Sequence, residues 1–171
     1  MLPRQTLFTD ERMGDALLPA IERLPRGSGV VLRHDRLSRE ARRALAERIA
    51  ALARDKGLIL SVAGDMALAR HVGAAMVHRP ESDPGGLPFS LPVHDEEEAR
   101  AAADRGAALV YVSPVHPTRS HPGAPALGEA EAIRLARLSG CPAIALGGMT
   151  ADRYAAIEKD FAGWAAISAF M

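Results

Sequence analysis

The sequence predicts a closed parallel α/β barrel built from a single domain over residues 1–171. Eight short apolar runs recur along the chain, and helical patterns lie between most of them. No glycine-rich dinucleotide or P-loop signature follows any run. An open doubly wound sheet is the rival arrangement, and the eightfold count favours closure.

In order, the predicted strands are Gln5–Asp10, Ser28–His34, Leu58–Gly64, Ala74–His78, Phe89–His94, Ala108–Val115, Ala143–Gly147 and Trp164–Ala169. Most read as continuous apolar segments, the pattern of parallel strands covered on both faces. Ala41, Leu45, Ile49, Leu52 and Ala53 form one stripe at helical spacing, opened by Ser38 and stopped by Gly57. Asp95 and Glu98 have the spacing of a capping box ahead of Ala99, Ala102 and Ala103, with Gly106 as the stop. Tyr154, Ile157 and Phe161 form a further stripe. Two features reduce the barrel. Only PESDPGGLP separates the fourth and fifth strands, so the fourth helix is minimal or missing, and the chain ends at Met171, leaving no room for a last helix.

Charge is balanced, with 21 basic and 21 acidic residues. A duplex-binding surface needs a basic excess or stripe, so nucleic acid is not an expected partner. The arginines between Arg36 and Arg54 alternate with apolar positions and read as a solvated helix face. No apolar run approaches the ~18 residues of a membrane span, and no signal-peptide pattern opens the chain. The expectation is a cytoplasmic protein without a membrane partner. The single cysteine, Cys141, cannot form an intramolecular disulfide, and it falls at the amino end of a strand, opposite the usual chemistry of barrels.

Polar residues concentrate at the carboxyl ends of the strands. Five of the six histidines lie there: His34, His78, His94, His116 and His121. Asp10, Arg33, Asp35, Asp65, Asp83, Thr118 and Ser168 share that face, which in a barrel converges on one mouth. No HExxH or close histidine pair speaks for zinc. Ser113, His116, Thr118, Arg119, Ser120 and His121 crowd the loop after the sixth strand, and the seventh ends in Gly147-Gly148 at a helix start. Polar side chains beside a bare backbone at a strand end suggest a phosphate-binding rim.

These segments resemble the thiamine phosphate synthase/TenI family of (β/α)8 TIM barrels. The family writes them approximately as GPVFPT-x-(T/S)-K, PVVAIGGI and V-(V/I)-SAI. Here they read Ser113-Pro-Val-His-Pro-Thr118-Arg-Ser-His121, Pro142-Ala-Ile-Ala-Leu-Gly-Gly-Met149 and Ala166-Ile-Ser-Ala-Phe170. Order and spacing extend the resemblance from Leu7-Phe-Thr-Asp10 to Ile167-Ser-Ala169.

The resemblance implies an enzyme that couples a pyrimidine pyrophosphate to a thiazole phosphate and releases pyrophosphate, with Mg2+ and no organic cofactor. Arg33 takes the place of a pyrophosphate-contacting arginine, but the lysine two places later is Asp35. Asp65 falls at either the magnesium aspartate or the aspartate that opens the next helix, and Asp83 at the second magnesium aspartate. Thr118 keeps the phosphate threonine and Ser113 opens its loop. The lysine three residues on is His121, and a phosphate-contacting serine is Pro92. Gly147, Gly148, Ile167 and Ser168 match the thiazole-phosphate cradle. The TenI branch implies an alternative, a thiazole tautomerase whose acid/base histidine is His94, or a non-catalytic thiazole-phosphate-binding barrel. A missing last helix would expose Phe170 and Met171 beside the first and seventh helices, which predicts a homodimer.

Overall fold

The structure, a computed structural model, describes residues 2–118, 123 and 125–170. Eight parallel strands close into a barrel in chain order, with the last paired to the first. They are β1 (Gln5–Phe8), β2 (Gly29–Leu32), β3 (Ile59–Ala63), β4 (Met76–His78), β5 (Phe89–Val93), β6 (Leu109–Val112), β7 (Ala143–Leu146) and β8 (Gly163–Ala166). Each expected strand is present, most of them shortened by one to three residues at an end, while β8 begins one residue earlier, at Gly163. The trimmed carboxyl-terminal residues belong to the mouth loops.

Among the described residues six helices follow the strands on the outside: α1 (Leu17–Glu22), α2 (Arg39–Lys56), α3 (Met66–Val72), α4 (Glu96–Asp104), α5 (Glu129–Leu138) and α6 (Ala151–Ile157). A 3-10 turn over Glu11–Ala16 leads into α1. Their ends follow the sequence signals. Ser38 Oγ accepts from the Ala41 N–H, and Gly57 closes α2 in the left-handed conformation, which a residue without Cβ adopts at no steric cost. Asp95 accepts from the Glu98 N–H at 2.8 Å, but Glu98 reaches back one residue further than a capping box requires, to His94.

The pleat sorts strand residues between two apolar layers. Phe8, Val31, Met76, Leu109, Tyr111, Ile144 and Ala165 fill the barrel interior, while Leu7, Val30, Leu32, Val62, Val77 and Val112 pack outward on the helices.

The expected reduction at the fourth helix is present. Residues 79–88, between β4 and β5, form only turns and bends, and β8 leads into one 3-10 turn, Ser168–Phe170. The flank expected to be bare is partly covered. Phe170 stacks on Trp164 with ring centroids 5.0 Å apart, and Arg23 donates to the Phe170 carbonyl. Trp164 is a buried part of the wall; Met171 lies outside the described residues.

Candidate active site

A cavity of about 670 Å³ opens at the carboxyl ends of the strands. Arg33, His94, Ser113, Thr118, Gly147, Gly148, Ile167 and Ser168 all line it, so eight of the expected site residues meet around one volume. The ninth residue expected there, His121, lies outside the described residues. Phe8, Leu146 and Met149 supply an apolar floor, and no carboxylate is among the described lining residues. Two arginines are: Arg33 and Arg153. Such a lining favours an anionic ligand with an apolar body.

Arg33 is held from β1. Its Nη2 donates to Asp10 Oδ2 at 2.7 Å and its Nε to the Thr9 carbonyl at 3.0 Å. Asp10 also takes two hydrogen bonds from the Arg12 side chain, at 2.7 and 2.9 Å. Arg12, helped by Arg33 and against the cost of burial, lowers the Asp10 carboxyl to about 2. Two guanidinium groups thus share one carboxylate, and a net positive charge remains beside the cavity.

His94 stands at the end of β5, half exposed. Its Nδ1 lies 2.7 Å from Glu98 Oε2, and the same oxygen accepts its backbone N–H at 2.6 Å. A carboxylate can only accept here, so Nδ1 carries the proton and Nε2 is the basic nitrogen of the neutral ring.

The glycine pair is required by geometry. Gly147 and Gly148 have φ of +93° and +62°. A Cβ on Gly147 would lie 2.7 Å from the Pro114 Cα, and one on Gly148 would lie 2.6 Å from the Pro117 carbonyl oxygen. Glycine is needed at Gly148 because the strand end is pressed against the loop that carries Thr118; the clash of a side chain is with that loop. Ser113 and Pro114 are joined by a cis peptide bond at the start of the same loop.

The histidines do not gather as their strand-end positions suggest. His34 is buried, with φ +46°; the Thr9 hydroxyl accepts from the Arg33 N–H and can donate to His34 Nδ1 at 2.9 Å. His78 points into the barrel, bonds Ser90 Oγ at 3.0 Å and packs edge-on to Phe8 and Tyr111. Burial, with a smaller push from Arg79, lowers it to about 3, so it is neutral and structural. His116 turns to Glu129, 3.5 Å away, and burial together with the Arg153 charge lowers its basicity. Of these four described strand-end histidines, only His94 lines the cavity.

The aspartates expected to bind magnesium are occupied otherwise. Asp65 opens α3, with Oδ1 accepting the Leu68 N–H at 2.8 Å, and its Oδ2 lies 3.8 Å from Arg42. Asp83 accepts the Gly85 N–H in an exposed turn. Neither lines the cavity. Among the described residues no group of three or more His, Cys, Asp or Glu is placed to hold a metal ion. Both aspartates thus stand away from the cavity with backbone partners of their own, and the structure displays Asp65 as the residue that opens α3. Asp65 instead belongs to a second groove, where Arg42 donates to the Arg33 and Ala63 carbonyls and sits 3.5 Å from Asp35. The Asp35 charge is turned to this internal cation.

The sequence reading missed Arg153, three residues beyond the α6 cap Thr150, with Nη1 folded back onto the Gly148 carbonyl. One signal was available: a cation in the first turn of a helix opposes the helix dipole and implies an offsetting contact.

The family pattern described as thiamine monophosphate synthase matches residues 89–170. The thiamine-phosphate synthase of Geobacillus thermodenitrificans is 34% identical over 145 residues, spanning 78% of this chain and 66% of that protein. The chain thus spans just under two thirds of that relative. A putative thiamine-phosphate synthase 2 of Aquifex aeolicus is 30% identical over 99% of this chain and 98% of its own length. Among solved structures, thiamine phosphate pyrophosphorylase from Pyrococcus furiosus shares the fold, with a TM-score of 0.79 at 21% identity over 96% of this chain and 85% of that one. By its near end-to-end match to the Aquifex relative, the chain belongs to the thiamine monophosphate synthase family.

Proposed function

We propose that this protein is a thiamine-phosphate synthase-like enzyme of thiamine biosynthesis, coupling a pyrimidine pyrophosphate to a thiazole phosphate with release of pyrophosphate. The observation that carries this reading is the cavity at the strand ends, free of described carboxylates, floored by apolar side chains and flanked by Arg33 and Arg153. Its glycine rim, Thr118 and Ser168 all fall within the matched segment.

In such a coupling the carbon–oxygen bond to pyrophosphate breaks, an electron-rich pyrimidine methylene cation forms, and the thiazole nitrogen captures it. The demand on the protein is to hold anions and keep the two rings face to face. Arg33, held rigidly by Asp10 and the Thr9 carbonyl, presents fixed positive charge to the departing pyrophosphate. Thr118, the Gly147-Gly148 turn and Ser168 border the other anion, the thiazole phosphate. Phe8, Leu146 and Met149 offer apolar surface to the rings and displace water from between them. His94, with Nδ1–H given to Glu98, offers Nε2 as an acceptor. No step is assigned to magnesium.

Incubation with the two substrates, with and without Mg2+, tests the reading, with thiamine phosphate as the readout. Product above background is expected; none in either condition overturns it. We place the enzyme in the cytoplasm as a homodimer that buries the partly covered β8 flank, where Phe170 lies on Trp164. Light scattering at tens of micromolar checks the assembly, and a monomer counts against it.

A further inference from the structure

We propose that Arg153 is the cationic ligand of a phosphomonoester at the barrel rim, and that an arriving phosphate draws its guanidinium away from the Gly148 carbonyl. The proposal rests on the synthase reading for the identity of the phosphomonoester, a thiazole phosphate; the anion site itself stands on geometry.

Arg153 and Arg33 are the two arginines among the described residues lining the cavity, and their situations differ. Arg33 pairs with Asp10 at 2.7 Å, so its charge is partly spent inside the protein. Arg153 forms no ion pair with any described carboxylate. Its recorded side-chain bond is to a neutral acceptor, the Gly148 carbonyl. Glu129, on the neighbouring α5, turns to His116 instead. An arginine holding only a peptide carbonyl exchanges it readily for a dianion, since charge-assisted guanidinium–phosphate bonds are stronger and take the bidentate form.

Its position is also set in advance. The Arg153 N–H bonds Thr150 Oγ1, which fixes the first turn of α6, and the side chain lies along the Gly147-Gly148 turn. That turn is pressed against the loop carrying Thr118. Thr118, Gly148, Ser168 and Arg153 therefore border one volume. A phosphate seated there meets a full positive charge. Among the described residues of the rim, Thr118, Ser168 and the glycine turn offer hydroxyl and backbone groups, and Arg153 adds a full charge. Arg153 brings a guanidinium to that rim from α6.

Calorimetric titration of the full chain with inorganic phosphate tests this, using the natural protein, R153Q and R153K. The dissociation constant is expected to rise roughly ten- to a hundredfold in R153Q, the loss of a charge-assisted contact, with unchanged thermal unfolding. R153K keeps the charge without the fork and is expected to recover part of the affinity. Equal affinity in R153Q and the natural chain overturns the proposal, as does a natural chain that binds no phosphate. The coupling assay separates the two claims. Phosphate held through Arg153 with no thiamine phosphate formed retires the synthase reading and leaves the site. Thiamine phosphate formed by R153Q at an unchanged KM for the thiazole phosphate retires the site and leaves the enzyme.

Discussion

Glu98 Oε2 accepts two hydrogen bonds from His94, one from the backbone N–H at 2.6 Å and one from Nδ1 at 2.7 Å. The carboxylate sits one helical turn beyond the histidine, on the first turn of α4, whose cap is Asp95. One oxygen thus fixes both the end of β5 and the plane of the imidazole beside the cavity. It also sets the tautomer, leaving Nε2 as acceptor.

From this pair we expect Glu98→Gln to lower turnover more than it lowers stability. The amide oxygen can still accept the backbone N–H, but the negative charge that supports an imidazolium is gone. A five- to fiftyfold fall in kcat is expected, at the low end of general acid–base effects, with stability within about 1 kcal/mol. His94→Ala should fall at least as far. Steady-state kinetics beside urea unfolding check both, and unchanged kcat in E98Q would remove His94 from the chemistry.

His78 makes stability depend on pH. Its folded pKa, about 3, lies below the ordinary 6.5, so the unfolded chain binds the extra proton more readily. Stability from this group is complete above pH 6.5 and is lost progressively as pH falls from there towards 3. Thermal unfolding of the natural protein should therefore weaken steadily from pH 7 to 4. In His78→Gln that slope should shrink, while overall stability drops by about 1–3 kcal/mol as the Ser90 contact and the edge-on packing on Phe8 and Tyr111 are disturbed. An unaltered slope in the variant would place the titration elsewhere.

Gly148→Ala should destabilise the fold. The added Cβ meets the Pro117 carbonyl oxygen at 2.6 Å and the His116 Cβ at 2.9 Å, at a φ of +62° that side chains rarely adopt. A loss of about 2–4 kcal/mol is expected from the combined strain and overpacking, measured by denaturant unfolding. Loss of phosphate affinity at full stability would instead mean that the methyl group points into the cavity.

The barrel could be read from the sequence because its cues are local. Apolar runs such as Leu109–Val112 have too few polar atoms to sit at a surface, and Ser38, Asp95, Gly57 and Gly106 mark helix ends by hydrogen bonds and conformations within a turn of themselves. The same holds for the rim. Gly147-Gly148 follows a strand and precedes the cap Thr150, so its place at the mouth follows from the chain order.

What each mouth side chain touches was decided only by the tertiary structure. Asp65 caps α3 through the Leu68 N–H close by in the chain, but only the fold brings Arg42 from α2 to 3.8 Å from its other oxygen. His34, His78, His94 and His116 all end strands or begin loops, yet backbone twist, pleat direction and burial send them to Thr9, Ser90, Glu98 and Glu129 respectively. The direction of the absent Cβ at Gly148 depends on a loop some thirty residues earlier, and Arg153 reaches the rim only because α6 folds over the end of β7. Secondary structure is set by interactions within a few residues, so the sequence determined the barrel and its mouth. The partners of charged side chains are set by distances between strands far apart in the chain, and those exist only once the barrel has closed.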